Sequence, residues 1–417
     1  MSKLEIKGGK KLSGKIKVGG NKNSVLPIMA ASLLTKESST IENIPEISDV
    51  EVMSDLLKLS GARVVKTKNK ITISPKNIKE VEFPRVLTVK LRASVVLLGA
   101  ILSRVGKIKM GYPGGDIIGR RSLDAHLQVL RSLGAKVDVE NDQIIASVTK
   151  FKGAEIFLQE ASVTATENAL IAASLADGKT IIKRAATEPH IVDLCLFLIK
   201  MGADINGIGS NTISVTGVQK LFGANHVVRP DHIEVGTFAI LAATASKRIE
   251  ISPIIKEDLD MILLTLNNFG VDYQLEDNKL IVKASKLKSQ EKVVTDVWPG
   301  FPTDLMAPMI VLATQAEGMT ILHDWMYESR MFFVDKLLSM GAKVEIADPH
   351  RVFVYGPSKL RGQRLDTPDI RAGIALVIAA LIAKGKSTIE RADLIERGYE
   401  NIVDRLTALG AQVKKIS

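Results

Sequence analysis

Apolar residues recur along the chain in two alternating registers. One is an amphipathic helical stripe. Before Gly202, for example, Ile191, Leu194, Cys195 and Leu198 stand at i, i+3, i+4 and i+7. The other is a block apolar on most faces, written six times: LPIMAASLLT, RASVVLLGAILS, ENALIAASLA, TFAILAATAS, LMAPMIVLATQ and AGIALVIAALIA. Such blocks predict helices buried on all sides. Strand-like strings follow, as in STIENI, TIIKRA, RIEISP and STIERA. Each amphipathic helix ends in a small turn: SGARV, LGAKV, MGADI, FGVDY, MGAKV or LGAQV. The turn glycines are Gly61, Gly134, Gly202, Gly270, Gly341 and Gly410, with gaps of 73, 68, 68, 71 and 69 residues. Glycine there suits a left-handed helix C-cap. The residues beyond alternate, as in VDVENDQIIAS, where Asn141-Asp142 predicts a hairpin turn.

The unit is therefore helix, strand, helix, strand, strand, of about 70 residues by the repeat logic. Six units predict an α/β fold of two domains, three units each, with mixed sheets around buried helices.

Composition narrows the class. The chain has 417 residues, 46% of them hydrophobic, which excludes global disorder; only 4% are aromatic, so the core is aliphatic. A single cysteine excludes a disulfide framework and a cysteine zinc cluster, and fits a reducing compartment. Cys195 itself lies in VDLCLFLI and reads as a core residue. The opening residues hold no apolar run, so no secretory signal is expected. The longest apolar run, Ala372 to Ala383, falls short of the ~20 residues a membrane span needs, and reads as a core helix. The expectation is a cytoplasmic monomer with no membrane partner. There is no GxxxxGK[ST], no GxGxxG after a strand and no HExxH, and the six histidines show no metal spacing. No metal and no cofactor is expected. The net charge of +10 favours an anionic partner: nucleic acid, a membrane surface or a phosphorylated small molecule.

Four places hold candidate chemistry. Gly19-Gly20-Asn21-Lys22-Asn23-Ser24 is either a solvated turn or an anion site at a helix start. Tyr112 to Arg121 (YPGGDIIGRR) is either a plain Gly-rich turn or a mobile loop whose Asp116, facing a bound anion, donates a proton. Phe301-Pro302-Thr303-Asp304 precedes a buried helix, where Thr or Asp commonly serves only as an N-cap. Arg330 in YESR, Arg371 in PDIR and Arg397 in ERGYE lie near repeat junctions. Guanidinium groups there suit phosphate or carboxylate clamps, the plain alternative being surface salt bridges.

The six-fold unit taken with GGNKNSVLP, KLRAS, PGGDIIGRR, FPTD, YESR, PDIRA and ERGYE, in order over essentially the whole chain, resembles the enolpyruvyl transferases. Their fold is an inside-out α/β barrel of two domains, three repeats each. The resemblance implies an N-terminal domain of residues 22–229 and a C-terminal domain of 1–21 and 230–417, with a cleft that closes on substrate. It implies transfer of the enolpyruvyl group of phosphoenolpyruvate to a sugar 3-hydroxyl with release of phosphate, and is nearest to the members that act on UDP-N-acetylglucosamine.

By the same resemblance Lys22, Arg121, Arg371 and Arg397 contact phosphoenolpyruvate. Asn23 contacts the sugar at the reacting centre, and Arg92 binds substrate. Asp304 is the base for the sugar hydroxyl, and Arg330 and Asp369 are further active-site positions. Arg121, Ser122, Leu123, Asp124, Ala125 and His126 form the nucleotide-binding stretch. Ser162, Val163 and Met326 line the UDP-sugar pocket. Asp116 stands where the family more often carries a cysteine proton donor, which implies insensitivity to the thiol-alkylating drug fosfomycin. Glu160, Thr164, His190 and Leu394 also depart from the usual pattern and bear on the acceptor sugar.

Two other readings stay open. A shikimate-pathway enolpyruvyl transferase shares the fold, but usually opens on Ser-Lys-Ser where this chain has Asn21-Lys22-Asn23. A non-catalytic basic repeat protein that binds nucleic acid fits the charge. Against it, the Lys and Arg are spread over all units, with almost no aromatics among them for base stacking.

Overall fold

In the computed structural model, which describes residues 2–115, 118–119 and 121–416, all six turn glycines are left-handed, with φ between 75° and 101°. Each turn is wired alike. The amide after the glycine reaches a leucine carbonyl five residues back: Ala62 to Leu57, Ala135 to Leu130, Ala203 to Leu198, Val271 to Leu266, Ala342 to Leu337 and Ala411 to Leu406, at 2.9–3.1 Å. The glycine amide itself bonds the carbonyl three residues back. This Schellman geometry satisfies carbonyls that a helix end leaves open, and the leucine and the residue after glycine are buried in every copy. Asn141 and Asp142 both have positive φ, 50° and 58°, as a two-residue hairpin demands. Asp116 and Arg120 lie outside the described residues.

Among the described residues the strands form six four-stranded sheets of one design. In the second repeat Val81–Phe83 runs parallel to Lys107–Gly111, the strand that leaves the inner helix Leu97–Val105. Gln143–Ser147 pairs antiparallel beside it, and its hairpin partner Lys136–Glu140 takes the far edge. The first strand of that order, three residues long in five sheets, is absent from the unit read from sequence.

The chain divides into two compact units: an N-proximal unit of 20–115 and 121–229, and a C-proximal unit holding 2–19, 118–119 and 230–416. Two strands are exchanged between repeats. Leu12–Lys17 precedes the first inner helix, Lys22–Ala31, yet pairs with Ser246–Ser252, which follows the fourth, His232–Ala245. Asn225–Val227 precedes that fourth helix yet pairs with Ser39–Glu42. Lys3–Lys7 lies between Lys386–Glu390 and Gln412–Ile416, where the sixth hairpin would place its return strand.

Each unit has its own aliphatic core built on three inner helices. All of His232–Ala245 is buried, and the apolar run at 372–383 falls in the buried helix Ile370–Ile382. Among the described residues no helix is long and apolar enough to cross a membrane. Cys195 is buried, and burial pushes its thiol up to about 12, so it is a core residue.

Candidate functional site

In the N-proximal unit Gly20 to Ser24 form a helix start. Asn21 is the N-cap, its side-chain oxygen accepting from the amides of Asn23 (2.8 Å) and Ser24 (3.2 Å). Gly20 is required: a Cβ there would lie 1.7 Å from the Asn43 carbonyl oxygen. Lys22, the first helical residue, places Nζ 2.7 Å from Asp49 Oδ2, and the Asp49 side chain is 3% exposed. Asn23 beside it is half-buried.

Arg92 opens a short 3-10 turn and donates from Nη2 to the Ser122 carbonyl at 2.7 Å. A Cβ on Gly115 would meet the Arg92 Cβ at 2.9 Å and Arg121 Nη1 at 3.4 Å, so these residues converge. The Gly-rich segment is pinned at its start, Gly114 and Gly115 donating to the carbonyls of Thr88 and Val89 at 3.2 and 3.1 Å. Ser122 and Asp124 are exposed and bond each other at the start of the helix Asp124–Ser132.

Leu123, Ala125 and His126 turn inward. The Asn168 amide donates to His126 Nδ1 at 2.9 Å, so Nε2 carries the proton toward Thr164 Oγ1 at 3.0 Å. Burial, with Arg92 and Arg121 nearby, depresses His126 to about 3, and the ring is neutral. Ser162 caps the helix Val163–Ala173 by accepting from the Ala165 amide, and Val163 is its first residue.

In the C-proximal unit Asp304 is at the centre. Its Oδ1 lies 3.2 Å from Arg330 Nη2; its Oδ2 receives Arg371 Nε at 2.9 Å and Nη2 at 2.8 Å. Both guanidiniums are buried, with side chains 4% and 7% exposed, which removes the surface-bridge alternative for these two. Burial alone would lower their pKa. For Arg330 the carboxylates of Asp304, Asp369 and Asp324 more than offset it; for Arg371 Asp304 leads, followed by Tyr399 and Asp231.

Neither Thr303 nor Asp304 caps its helix: the N-cap is Pro302, and Thr303 instead donates its hydroxyl to Asp324. Asp369 does cap, accepting from the amides of Arg371 (2.8 Å) and Ala372 (3.0 Å), and so fixes where Arg371 leaves its helix. Arg397 ends the 3-10 turn Ala392–Arg397 and is half-buried, as is Met326. Ile118 accepts from the Ser329 amide at 3.1 Å, beside Arg330.

Four participants were not singled out from the sequence. Asp49 pairs with Lys22. Asp324, fully buried, accepts from Thr295 Oγ1 and the Met326 amide and lies 3.8 Å from Arg330 Nε. Tyr399 and Thr237 stand behind Arg371. Only Tyr399 carried a signal, its place in ERGYE.

Buried guanidiniums grouped round one carboxylate suit an anionic substrate that must also give up a proton. Residues 6–406 match the family model described as EPSP synthase (3-phosphoshikimate 1-carboxyvinyltransferase). The chain is 46% identical to the UDP-N-acetylglucosamine 1-carboxyvinyltransferase of Bradyrhizobium diazoefficiens, over 99% of this chain and 97% of that one. It is 45% identical to the protein of the same name from Treponema denticola, over 99% of both. In structure it overlays the enolpyruvyl transferase NikO of Streptomyces tendae with a TM-score of 0.90 at 24% identity, covering 100% of this chain and 99% of that one. An EPSP synthase of Acinetobacter baumannii gives 0.79 at 18%, covering 100% of both. The chain belongs to the enolpyruvyl transferase family, with its inside-out α/β architecture.

Proposed function

We propose that this protein transfers the enolpyruvyl group of phosphoenolpyruvate to the 3-hydroxyl of UDP-N-acetylglucosamine and releases phosphate, the first committed step of peptidoglycan synthesis. The observation that carries it is Asp304 held between Arg330 and Arg371, in a chain 46% identical end to end to an enzyme named for that reaction. In the reaction the sugar oxygen bonds C2 of phosphoenolpyruvate. The hydroxyl proton leaves and the methylene carbon gains a proton. A methyl proton is then lost as the carbon–phosphate oxygen bond breaks.

Asp304 takes the hydroxyl proton. Phosphoenolpyruvate, competing for the guanidinium of Arg371, loosens its hold on Asp304 and frees it for that work. Lys22, Arg121, Arg371 and Arg397 meet the phosphate and carboxylate, and Arg330 and Asp369 hold the surrounding charge in place. Asn23 and Arg92 orient the acceptor. The 121–126 stretch, Ser162, Val163 and Met326 receive the nucleotide; Leu123, Ala125 and His126, being buried, serve it through backbone and packing. Asp116 donates the proton to carbon. The setting is the cytoplasm, and the catalyst a monomer. Incubation with both substrates tests the reading: mass spectrometry should find the UDP-sugar carrying an enolpyruvyl ether, and unaltered UDP-sugar would reject it.

A further inference from the structure

The hydroxyl of Tyr399 has every proton around it assigned. Thr237, on the inner helix His232–Ala245, spends its own hydroxyl proton on the Ile233 carbonyl, 2.8 Å away and one turn back. Its oxygen can then only accept, so the Tyr399 hydroxyl, 2.9 Å away, donates to it. The lone pairs of Tyr399 are left for Arg371, whose Nη1 donates to them at 3.0 Å. The chain of donors runs one way: Arg371 to Tyr399 to Thr237 to Ile233. Tyr399 is fully buried, and its ring centroid lies 5.5 Å from the Arg371 Cζ.

A guanidinium is a rigid plane. Here Nε and Nη2 are fixed on Asp304 Oδ2, and Nη1 is fixed on the opposite side by the phenol. We propose that Tyr399, backed by Thr237, is a positioning residue that sets the plane of Arg371 and, through it, the place of Asp304 in the transfer reaction. The inference rests on the functional reading above for the identity of the reaction. Burial raises the Tyr399 hydroxyl, which keeps it the neutral donor the chain requires. Without the hydroxyl, Nη1 faces an apolar ring edge, the guanidinium can rotate away from Asp304, and a small displacement of a catalytic group is felt in the rate.

The test compares Tyr399→Phe, Thr237→Val and Thr237→Ser with wild type in kcat, both KM values and unfolding midpoint, together with calorimetric binding of phosphoenolpyruvate alone. Tyr399→Phe should lower kcat on the order of 10- to 100-fold, in line with misplacement of a reacting group. It should also weaken phosphoenolpyruvate binding and leave the KM for UDP-N-acetylglucosamine within about twofold. Thr237→Val should reproduce part of the loss, and Thr237→Ser, which keeps the acceptor, should restore wild-type rate. A purely structural role would move the midpoint of all the variants and leave kcat and phosphoenolpyruvate binding unchanged, which overturns the proposal. Wild type that binds phosphoenolpyruvate but does not transfer it to UDP-N-acetylglucosamine overturns the acceptor reading alone; weaker binding by Tyr399→Phe would still sustain the positioning role, and unchanged binding would end it.

Discussion

Arg371 sets both Nε and Nη2 on a single oxygen of Asp304, at 2.9 and 2.8 Å, and leaves the other oxygen to Arg330 at 3.2 Å. One carboxylate thus pairs with two buried cations. Asp304→Asn removes that shared charge and the proposed base together. We expect kcat to fall about 100-fold or more, as for loss of a general base. Stability should fall by roughly 2–3 kcal/mol, less than for a fully buried pair because the Asp304 side chain is 26% exposed. Steady-state kinetics with chemical denaturation reads both. An Asn variant with wild-type turnover would remove Asp304 from the chemistry.

Asp116, proposed as the proton donor to carbon, separates binding from turnover. Asp116→Asn should nearly abolish turnover and change substrate binding little. Because a carboxylate forms no stable thioether, wild type should resist fosfomycin, and Asp116→Cys should acquire time-dependent inactivation. Rapid inactivation of the purified wild-type protein would contradict this.

His126 makes stability depend on acid. Its folded pKa of about 3 lies below the ordinary 6.5, so below pH 6.5 the unfolded chain takes up a proton that the folded chain refuses. The contribution is fully present above pH 6.5 and is lost as pH falls toward 3, with a slope on the order of 1.4 kcal/mol per pH unit. Denaturation of wild type and His126→Gln from pH 7 to pH 4 should show wild type losing more. Parallel curves would mean that the ring carries a proton in the folded state.

The turn glycines separate conformational strain from collision. At Gly134 φ is 96° and a Cβ would meet nothing within 4 Å, so Gly134→Ala should cost only the left-handed penalty, about 1–2 kcal/mol. At Gly61 the Cβ would also fall 2.3 Å from the Asn77 carbonyl oxygen, and Gly61→Ala should cost clearly more. Equal unfolding midpoints for the two variants would refute the distinction.

The repeat was legible because each copy writes its own local signals. A leucine four residues before a glycine, with Ala or Val after it, sets a Schellman cap wherever it occurs. The six apolar blocks could bury themselves only as inner helices. The strands such as Val81–Phe83 were not legible, since three residues are too few to display alternation. The exchange of Leu12–Lys17 with Asn225–Val227 is a long-range pairing with no local trace. At the site, Lys22 and the arginines announced themselves by residue type, whereas nothing in the sequence singles out Asp49 and Asp324, which the fold sets against cations. The local pattern of Thr303-Asp304 also allows a plain cap; the fold removes that alternative, because distant side chains claim both groups.

The acceptor is decided by phosphate release from phosphoenolpyruvate by the purified protein, with UDP-N-acetylglucosamine in one reaction and shikimate 3-phosphate in another. Release is expected with UDP-N-acetylglucosamine, and none above background with shikimate 3-phosphate. Release with shikimate 3-phosphate alone would rule out UDP-N-acetylglucosamine as the acceptor.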